Sequence, residues 1–474
     1  MVMSKGAVLD LAHSYFPSAR SSFAQAAYLD YWGKGKQSGH ESGKLFVPNR
    51  GQRADSEYLD LVDRSYTPWL TLVITAMVQT MFVKGIQIPG QNAGSPAAVQ
   101  QCWMRNDMPA KQISLYRDQF THGTAFGVSL PGRDPLTGSP MPVLRMVSAR
   151  RMAAFDMPGQ PSDYPMFTIE ADRFWDARER GWTVELMDEN AVHHIYCKGD
   201  GEDRKDWFYL DYVAHDTGVT PVARYYNMID LDGDAVSEIE PLIPMAKRID
   251  QDVFDRLIVQ RFGAWKVRYI TGLVKPAEVS DEDHVQTLLK LKVGDFLALE
   301  GKDSKVGTID ETQLDGFIAA HDADIRDLSA VSQTPPHHML GLASNMQPES
   351  LAAVNANLVN KSFERKVGTE VSHRRLLRCA AIQMGNQREA EAYDMQFTWK
   401  DTETRSFQQA AQALGVVATQ LGVPVEMLWR RLPDWTEFDS EEAKRIVESG
   451  AFDELVKGLA GQGLDVGTGE PAKV

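Results

Sequence analysis

Three carboxylates, Asp310, Glu311 and Asp315, fall close together and come nearest in this chain to a metal-dependent hydrolase or nuclease centre. Carboxylate oxygens can hold a divalent ion, and the ion turns bound water into a nucleophile. The plainer reading of the same residues is a solvated helix face. His193, His194 and Cys197 approach metal-ligand spacing, but neighbouring residues of a strand point to opposite faces and cannot easily share an ion. His337 and His338 follow a double proline and read as the start of a loop rather than as a base or ligand. Gly39–Lys44 resembles a phosphate loop but lacks the glycine spacing and the hydroxyl residue after the lysine. GxxxxGK[ST], GxSxG and HExxH motifs are missing, as is GxGxxG in a strand–turn–helix context. The expectation is a protein with no catalytic residues, no metal and no cofactor.

The elements around these residues follow from hydropathy period. Residues 1–55 look mixed, with a Gly/Ser/Lys-rich patch at 33–44 that reads as a loop. Glu57–Phe82 has a helical pattern, with Pro68 at a helix start and Trp69, Leu72, Val73, Ala76, Met77 and Thr80 on one face. A helix over Lys111–Thr121 is broken by Gly123, and a strand follows over Ala125–Leu130. Residues 140–228 alternate apolar and polar positions between glycines, as half-buried antiparallel strands do. These strands cluster instead of alternating with helices, which gives an α+β fold.

From Ser237 the period becomes helical. Ser237–Glu240 has capping-box spacing, Pro244 starts or kinks the helix, and Ile249, Val253, Phe254, Leu257 and Ile258 form its stripe. Residues 263–308 read as a compact insert, with strands at Trp265–Thr271 and Phe296–Leu299 around a helix at Glu282–Leu291. A second amphipathic helix over Glu311–Ser332 places Leu314, Phe317, Ile318, His321, Ile325 and Leu328 on one face. Glu311, Asp315 and Asp322 make an acidic stripe beside that face. Pro335 and Pro336 stop this helix, and Gly341–Pro348 reads as an exposed loop. A long helix over Glu349–Met384 carries Lys361, Arg365, Lys366, Arg374, Arg375 and Arg378. That basic row reads as a solvated face or subunit contact, with nucleic-acid contact as the alternative. A strand at 393–400 and short helices from Arg405 complete the chain.

Composition narrows the function. The 474 residues are 43% hydrophobic and 24% charged, as in an ordinary globular protein of several domains. The net charge of −15 argues against a tight, non-specific DNA binder, which must displace phosphate counterions with a positive excess. Three scattered cysteines, Cys102, Cys197 and Cys379, offer no disulfide framework and suit a reducing compartment. The start of the chain lacks the pattern of a secretory signal, and the apolar run Trp69–Val83 is too short to span a bilayer.

Several segments, in order, resemble the portal proteins of tailed double-stranded DNA bacteriophages of the siphophage type. Ser65–Val78 through Val83–Ile86 is similar to the family's early helix and V-x-G turn, and Trp103–Met108 to its W-x-x-N-x-(L/M) segment. Pro221–Asn227 and Ser237–Glu240 resemble the approach to the first stem helix. Ser332–Gly341 resembles the element at the tunnel loop, and Phe397–Asp401 the strand before the C-terminal helices.

The resemblance implies a ring, usually of twelve subunits, at one capsid vertex, through which DNA is packaged and ejected. Carried onto this chain, 1–236 is the wing, 237–262 and 309–334 are the stem helices, and 263–308 is the clip. Residues 335–348 are the tunnel loop, 349–404 the long helix and returning wing strand, and 405–474 the helical crown and tail. A stem helix of about 25 residues would be ~38 Å long, a plausible channel wall. Ile249, Val253, Leu257, Leu314, Phe317 and Ile325 would pack subunits together, and Glu311, Asp315 and Asp322 would face the lumen. Ser344, Asn345, Met346 and Gln347, uncharged, would brush passing duplex DNA without gripping it. Implied partners are further copies of the chain, the terminase large subunit, head-completion adaptors and the major capsid protein, with no membrane. Implied locations are the virion and, during assembly, the host cytoplasm. Readings from other classes are the carboxylate-centred hydrolase and an oligomeric scaffold without a channel.

Overall fold

The computed structural model describes residues 2–34, 56–89, 97–157, 163–175, 180–215, 217–231, 233–263, 268–271, 305–308, 314–341, 348–400, 407–429, 432 and 437–448. The described elements begin with helices α1 (Lys5–Lys34), α2 (Ser56–Ser65) and α3 (Trp69–Gln79), strand β1 (Val83–Gln87), and helices α4 (Ala98–Arg105) and α5 (Met108–His122). An antiparallel region follows: β2 (Thr124–Leu130), β3 (Val143–Ser148), β4 (Met152–Phe155), β5 (Phe167–Trp175), β6 (Arg180–Met187), β7 (Ala191–Lys198), β8 (Trp207–Ala214) and β9 (Val222–Tyr226). Short strands β10 (Met228–Ile229) and β11 (Ala235–Val236) precede α6 (Ile243–Gly263), β12 (Arg268–Thr271), β13 (Lys305–Thr308) and α7 (Asp315–Ser332). The last elements are α8 (Pro336–Leu340), α9 (Pro348–Gln383), α10 (Gln387–Ala390), β14 (Gln396–Trp399), α11 (Phe407–Leu421), α12 (Val425–Trp429) and α13 (Glu437–Glu448). The fold is α+β, as the clustering of strands in the sequence implies.

Two compact units divide the chain, one of Met1–Gly43, Leu70–Pro241 and Ser332–Val474 and the other of Lys44–Trp69 and Leu242–Val331. In the first, a five-stranded antiparallel sheet runs β4-β5-β6-β7-β8. Every second residue faces the core: Phe167, Ile169 and Ala171 on β5, Val184 and Leu186 on β6, Ile195 and Cys197 on β7. Helix α1 covers this face with Val8, Ala12, Phe16, Ala19 and Phe23, all buried. The spacing of three and four puts them on one stripe.

This 30-residue helix lies where the sequence looked mixed. Small alanines fill much of its buried stripe, so the side chains that mark amphipathicity are few, and Pro17 sits inside the helix where a break is the usual expectation.

A three-stranded sheet, β3-β2-β9, stands on helices α5 and α9. Helix α5 ends at Gly123, whose φ of +80° is left-handed and favours glycine; a Cβ there would meet the Ser237 backbone nitrogen at 2.9 Å. A pair of strands, β1 and β14, joins the early and late chain antiparallel. Glu389, 1% exposed, accepts from the Ala98 and Val99 amides at 2.9 and 2.8 Å, satisfying the start of α4. The pattern over Glu57–Phe82 resolves into two helices, α2 and α3, because the chain leaves helical geometry at Tyr66–Pro68.

In the second unit, Leu61 and Val62 of α2 pack with Phe254, Leu257 and Ile258 of α6. Strands β12 and β13 pair antiparallel, Arg268 opposite Thr308. The insert strand expected at Trp265–Thr271 is present as Arg268–Thr271, while Phe296–Leu299 and Glu282–Leu291 lie outside the described residues.

Candidate functional site

The chain approaches α6 through a hydroxyl-capped turn. Ser237 Oγ accepts from the Ile239 and Glu240 amides at 3.2 and 3.4 Å and donates to the Thr121 carbonyl at 2.7 Å. The capping spacing at Ser237–Glu240 therefore opens a 3₁₀ turn at Glu240–Leu242, and the α-helix starts later, at Ile243, with Pro244 in its first turn where a missing N–H is harmless. The helix has 21 residues, about 31 Å. Helix α7 has 18 described residues, about 27 Å. A short helix, α8, holds His337 and His338 where a loop was expected. Pro336 at its first position is compatible with helix, since proline lacks only a donor that would be unused there.

Polar contacts join α6 to α7. Arg248 reaches Asp324 at 2.6 Å and Asp327 at 3.8 Å, and the carboxyls of Asp252 and Asp324 share a hydrogen bond. Burial, that bond and the charges of Asp324 and Asp255 push Asp252 above the usual carboxylate range, against the pull of His321. The folded state therefore favours neutral Asp252. Its stabilisation is present at low pH and is lost as pH rises through the raised folded value. Asp252→Asn keeps the hydrogen bond without the charge, so it should melt higher than wild type at about pH 8 and gain nothing near pH 4. Thermal melts at both pH values check this, and a lower melting point at about pH 8 contradicts it. Hydropathy does not single out Arg248, Asp252 and Asp324; the one sequence signal for them is Arg248 and Asp252 one turn apart.

Of the expected acidic stripe, Asp315 is exposed and the Asp322 side chain is 45% exposed, 3.7 Å from His321. Glu311, Asp310 and Ser344–Gln347 lie outside the described residues. The expected subunit-packing set needs correction. Ile249 and Ile325 are at most 1% exposed and Val253 is 6% exposed within the single chain, and Leu257 packs on the chain's own α2. Their burial is intramolecular; for Leu257 the partner is α2, which the hydropathy pattern could not identify. Leu314 and Phe317 remain half-buried, and the exposed large apolar side chains of α7 are Ile318 and Val331.

The basic row on α9 is likewise not a solvated face. Lys361, 7% exposed, donates to the Ser332 carbonyl at 2.7 Å and pairs with Glu238. Arg365 donates to Asn227 Oδ1 at 2.7 Å and lies 3.4 Å from Glu238. Arg374 donates to the Met395 carbonyl at 3.1 Å, Arg375 pairs with Asp163 at 2.6 Å, and Lys366 lies over the Trp399 ring. Arg378 donates to the Ala390 carbonyl at 2.7 Å and stacks 3.7 Å above Tyr393. Each cation is engaged within its own chain, because α9 packs against surrounding acids, carbonyls and rings rather than standing in water.

The two histidines of β7 do face apart. His193 is buried against Asp188 and Tyr209, whereas His194 contacts Asp211 on the other face.

A family model described as "Phage portal protein, SPP1 Gp6-like" matches residues 54–451. The chain belongs to this family of structural virion proteins, and its role is that of the head-to-tail connector. The portal protein of Mycobacterium phage L5 is 22% identical over 355 residues, covering 72% of this chain and 70% of that protein. The portal protein of Mycobacterium phage D29 is 22% identical over 356 residues with the same coverage. Among solved structures, a chain in the virion of a native gene transfer agent particle is 12% identical with a TM-score of 0.42, covering 78% of this chain and 90% of that one. An HK97-family phage portal protein from Corynebacterium diphtheriae is 12% identical with a TM-score of 0.32, covering 73% and 94%.

Proposed function

We propose that copies of this chain form a ring, of twelve subunits, whose central channel passes double-stranded DNA into and out of the capsid. The observation that carries this reading is the single family match across 54–451, which takes in α6, α7 and the segment between them. In the proposal α6 and α7 are the stem, 263–308 the clip, 335–348 the tunnel loop and 405–474 the crown and tail. Residues 1–236, with 349–404, form the wing.

Asp315 and Asp322, with Glu311, line the bore. The exposure of Asp315 and Asp322 on α7 supports this role. A negative wall repels phosphates, so the genome slides without lasting contacts. The uncharged Ser344–Gln347 segment touches the duplex. Leu314 and Phe317, half-buried in one chain, take the subunit contact. The clip docks the terminase large subunit during filling and the neck adaptors afterwards, and the outer body meets the major capsid protein. Assembly takes place in the host cytoplasm, and ATP hydrolysis belongs to the motor.

End-on electron microscopy of the purified chain should show closed rings with a central hole, and the preparation should hydrolyse no ATP. A monodisperse monomer across salt conditions overturns the proposal, and rings without a hole favour a scaffold. Replacing both Asp315 and Asp322 by lysine should leave ring yield unchanged and lower the DNA content of filled particles. Normal filling by that variant would remove the acidic wall from the mechanism.

A further inference from the structure

Helix α9 carries a histidine in a closed, uncharged nest. His373 is fully buried, with Nε2 2.8 Å from the Tyr116 hydroxyl on α5 and Nδ1 2.9 Å from the Tyr225 hydroxyl on β9. Trp103 of α4 stands edge-on at 5.0 Å between ring centroids, and Phe397 and Trp399 of β14 lie at 5.5 and 6.4 Å. Tyr116 in turn donates to Gln112 Oε1 at 3.2 Å, and that oxygen also accepts the Val83 amide of β1 at 2.8 Å.

These contacts fix the direction of every hydrogen. A tyrosine hydroxyl has one hydrogen, and Tyr116 spends it on Gln112, which offers an oxygen already facing an N–H. Tyr116 must then accept from His373, so Nε2 carries the ring hydrogen. Nδ1 is left as the acceptor for Tyr225. The donors run one way, from Tyr225 through His373 and Tyr116 to Gln112, and tie β9, α9 and α5 to the start of β1.

We propose that this one-way relay is an acid-sensitive latch holding α9 in the body, and that a proton on His373 Nδ1 releases it. The added N–H would face the Tyr225 O–H head to head. Tyr225 would have to turn its hydrogen away from the acceptor it now has, in a site so tight that a Cβ on Gly127 would stand 3.4 Å from its oxygen. Among the described contacts no charged side chain faces the imidazole to compensate the new charge. Two charged side chains instead reach Trp399, where Glu370 accepts the indole N–H at 2.6 Å and Lys366 lies 5.8 Å over the ring. The titratable groups facing His373 from α5 and β9 are Tyr116 and Tyr225, both held well above the ordinary phenol range by burial. Burial likewise pushes His373 down to about 3 from 6.5. A lowered histidine binds its proton more readily once opened, so the latch holds above about pH 6.5 and weakens progressively below it.

Hydrogen exchange of the full-length protein, corrected for intrinsic rates, tests this. Amides of α9 near His373 should open roughly 20- to 30-fold more often at about pH 5 than at about pH 7, from proton linkage to a group of ordinary pKa when open. Strands β5–β7 should change much less. The non-titrating His373→Gln should abolish the α9 acceleration while its exchange at about pH 7 stays measurable. If wild-type α9 keeps its protection as fully as β5–β7 down to about pH 5, the latch is overturned, whether or not the variant folds. Equal acceleration in wild type and His373→Gln overturns it as well.

Discussion

Replacing Lys361 by methionine should destabilise the protein by about 3–5 kcal/mol, the range for breaking a buried ion pair from one side. Methionine keeps most of the aliphatic volume, so lost packing contributes little. What remains is the Glu238 carboxylate, 8% exposed, with Arg365 at 3.4 Å, and a Ser332 carbonyl that has lost the Lys361 ammonium. In sequence Glu238 precedes α6 and Ser332 ends α7, and one ammonium satisfies both. Neutralising the stranded partner should reverse much of the damage, so Lys361→Met with Glu238→Gln should be more stable than Lys361→Met alone. Chemical denaturation of the four proteins in the cycle measures the coupling. A single-variant loss below about 1 kcal/mol would mean the pair behaves like an exposed one.

Phe16→Ala should cost about 3–5 kcal/mol, the usual penalty for emptying a buried phenylalanine site. The ring is 1% exposed and packs edge-on against Trp207 at 5.0 Å and Trp182 at 5.5 Å. Those two indoles belong to β8 and β6, so the cavity would open between α1 and the sheet rather than inside either. Small neighbours on the helix stripe, Ala12 and Ala19, cannot fill it. Early proteolytic cleavage within α1, measured beside the melting point, separates undocking of the helix from global unfolding. Unchanged cleavage together with an unchanged melting point would contradict this account of α1.

The strands were legible because alternation is a local signal: β6, β7 and β8 fall on the runs at Trp182–Met187, Val192–Tyr196 and Trp207–Tyr212. The long helices α6, α7 and α9 were legible for the same reason. Helix α1 was not, since alanine reads as indifferent until the surface it covers is known. The basic row of α9 shows the converse failure. Its residue types are visible, but whether a cation meets water, a carbonyl or Glu238 depends on partners remote in sequence. The Asp252–Asp324 contact has the same character, as does the coverage of Leu257 by α2. Periodicity shows which side of a helix is apolar; it does not show whether the chain covers that side itself.

The pairing of β1 with β14 bears on how the molecule is made. Val83 meets Trp399 across that ladder, so two segments that leave the ribosome far apart in time become neighbours. Residues 242–331 are synthesised in the interval and can begin folding before the larger unit is sealed. Closing so long a loop is entropically slow. A nascent chain arrested just short of Gln396 should therefore hold a formed α2–α6 pair beside an unfinished body, and β1 would wait with an open edge until translation is nearly complete.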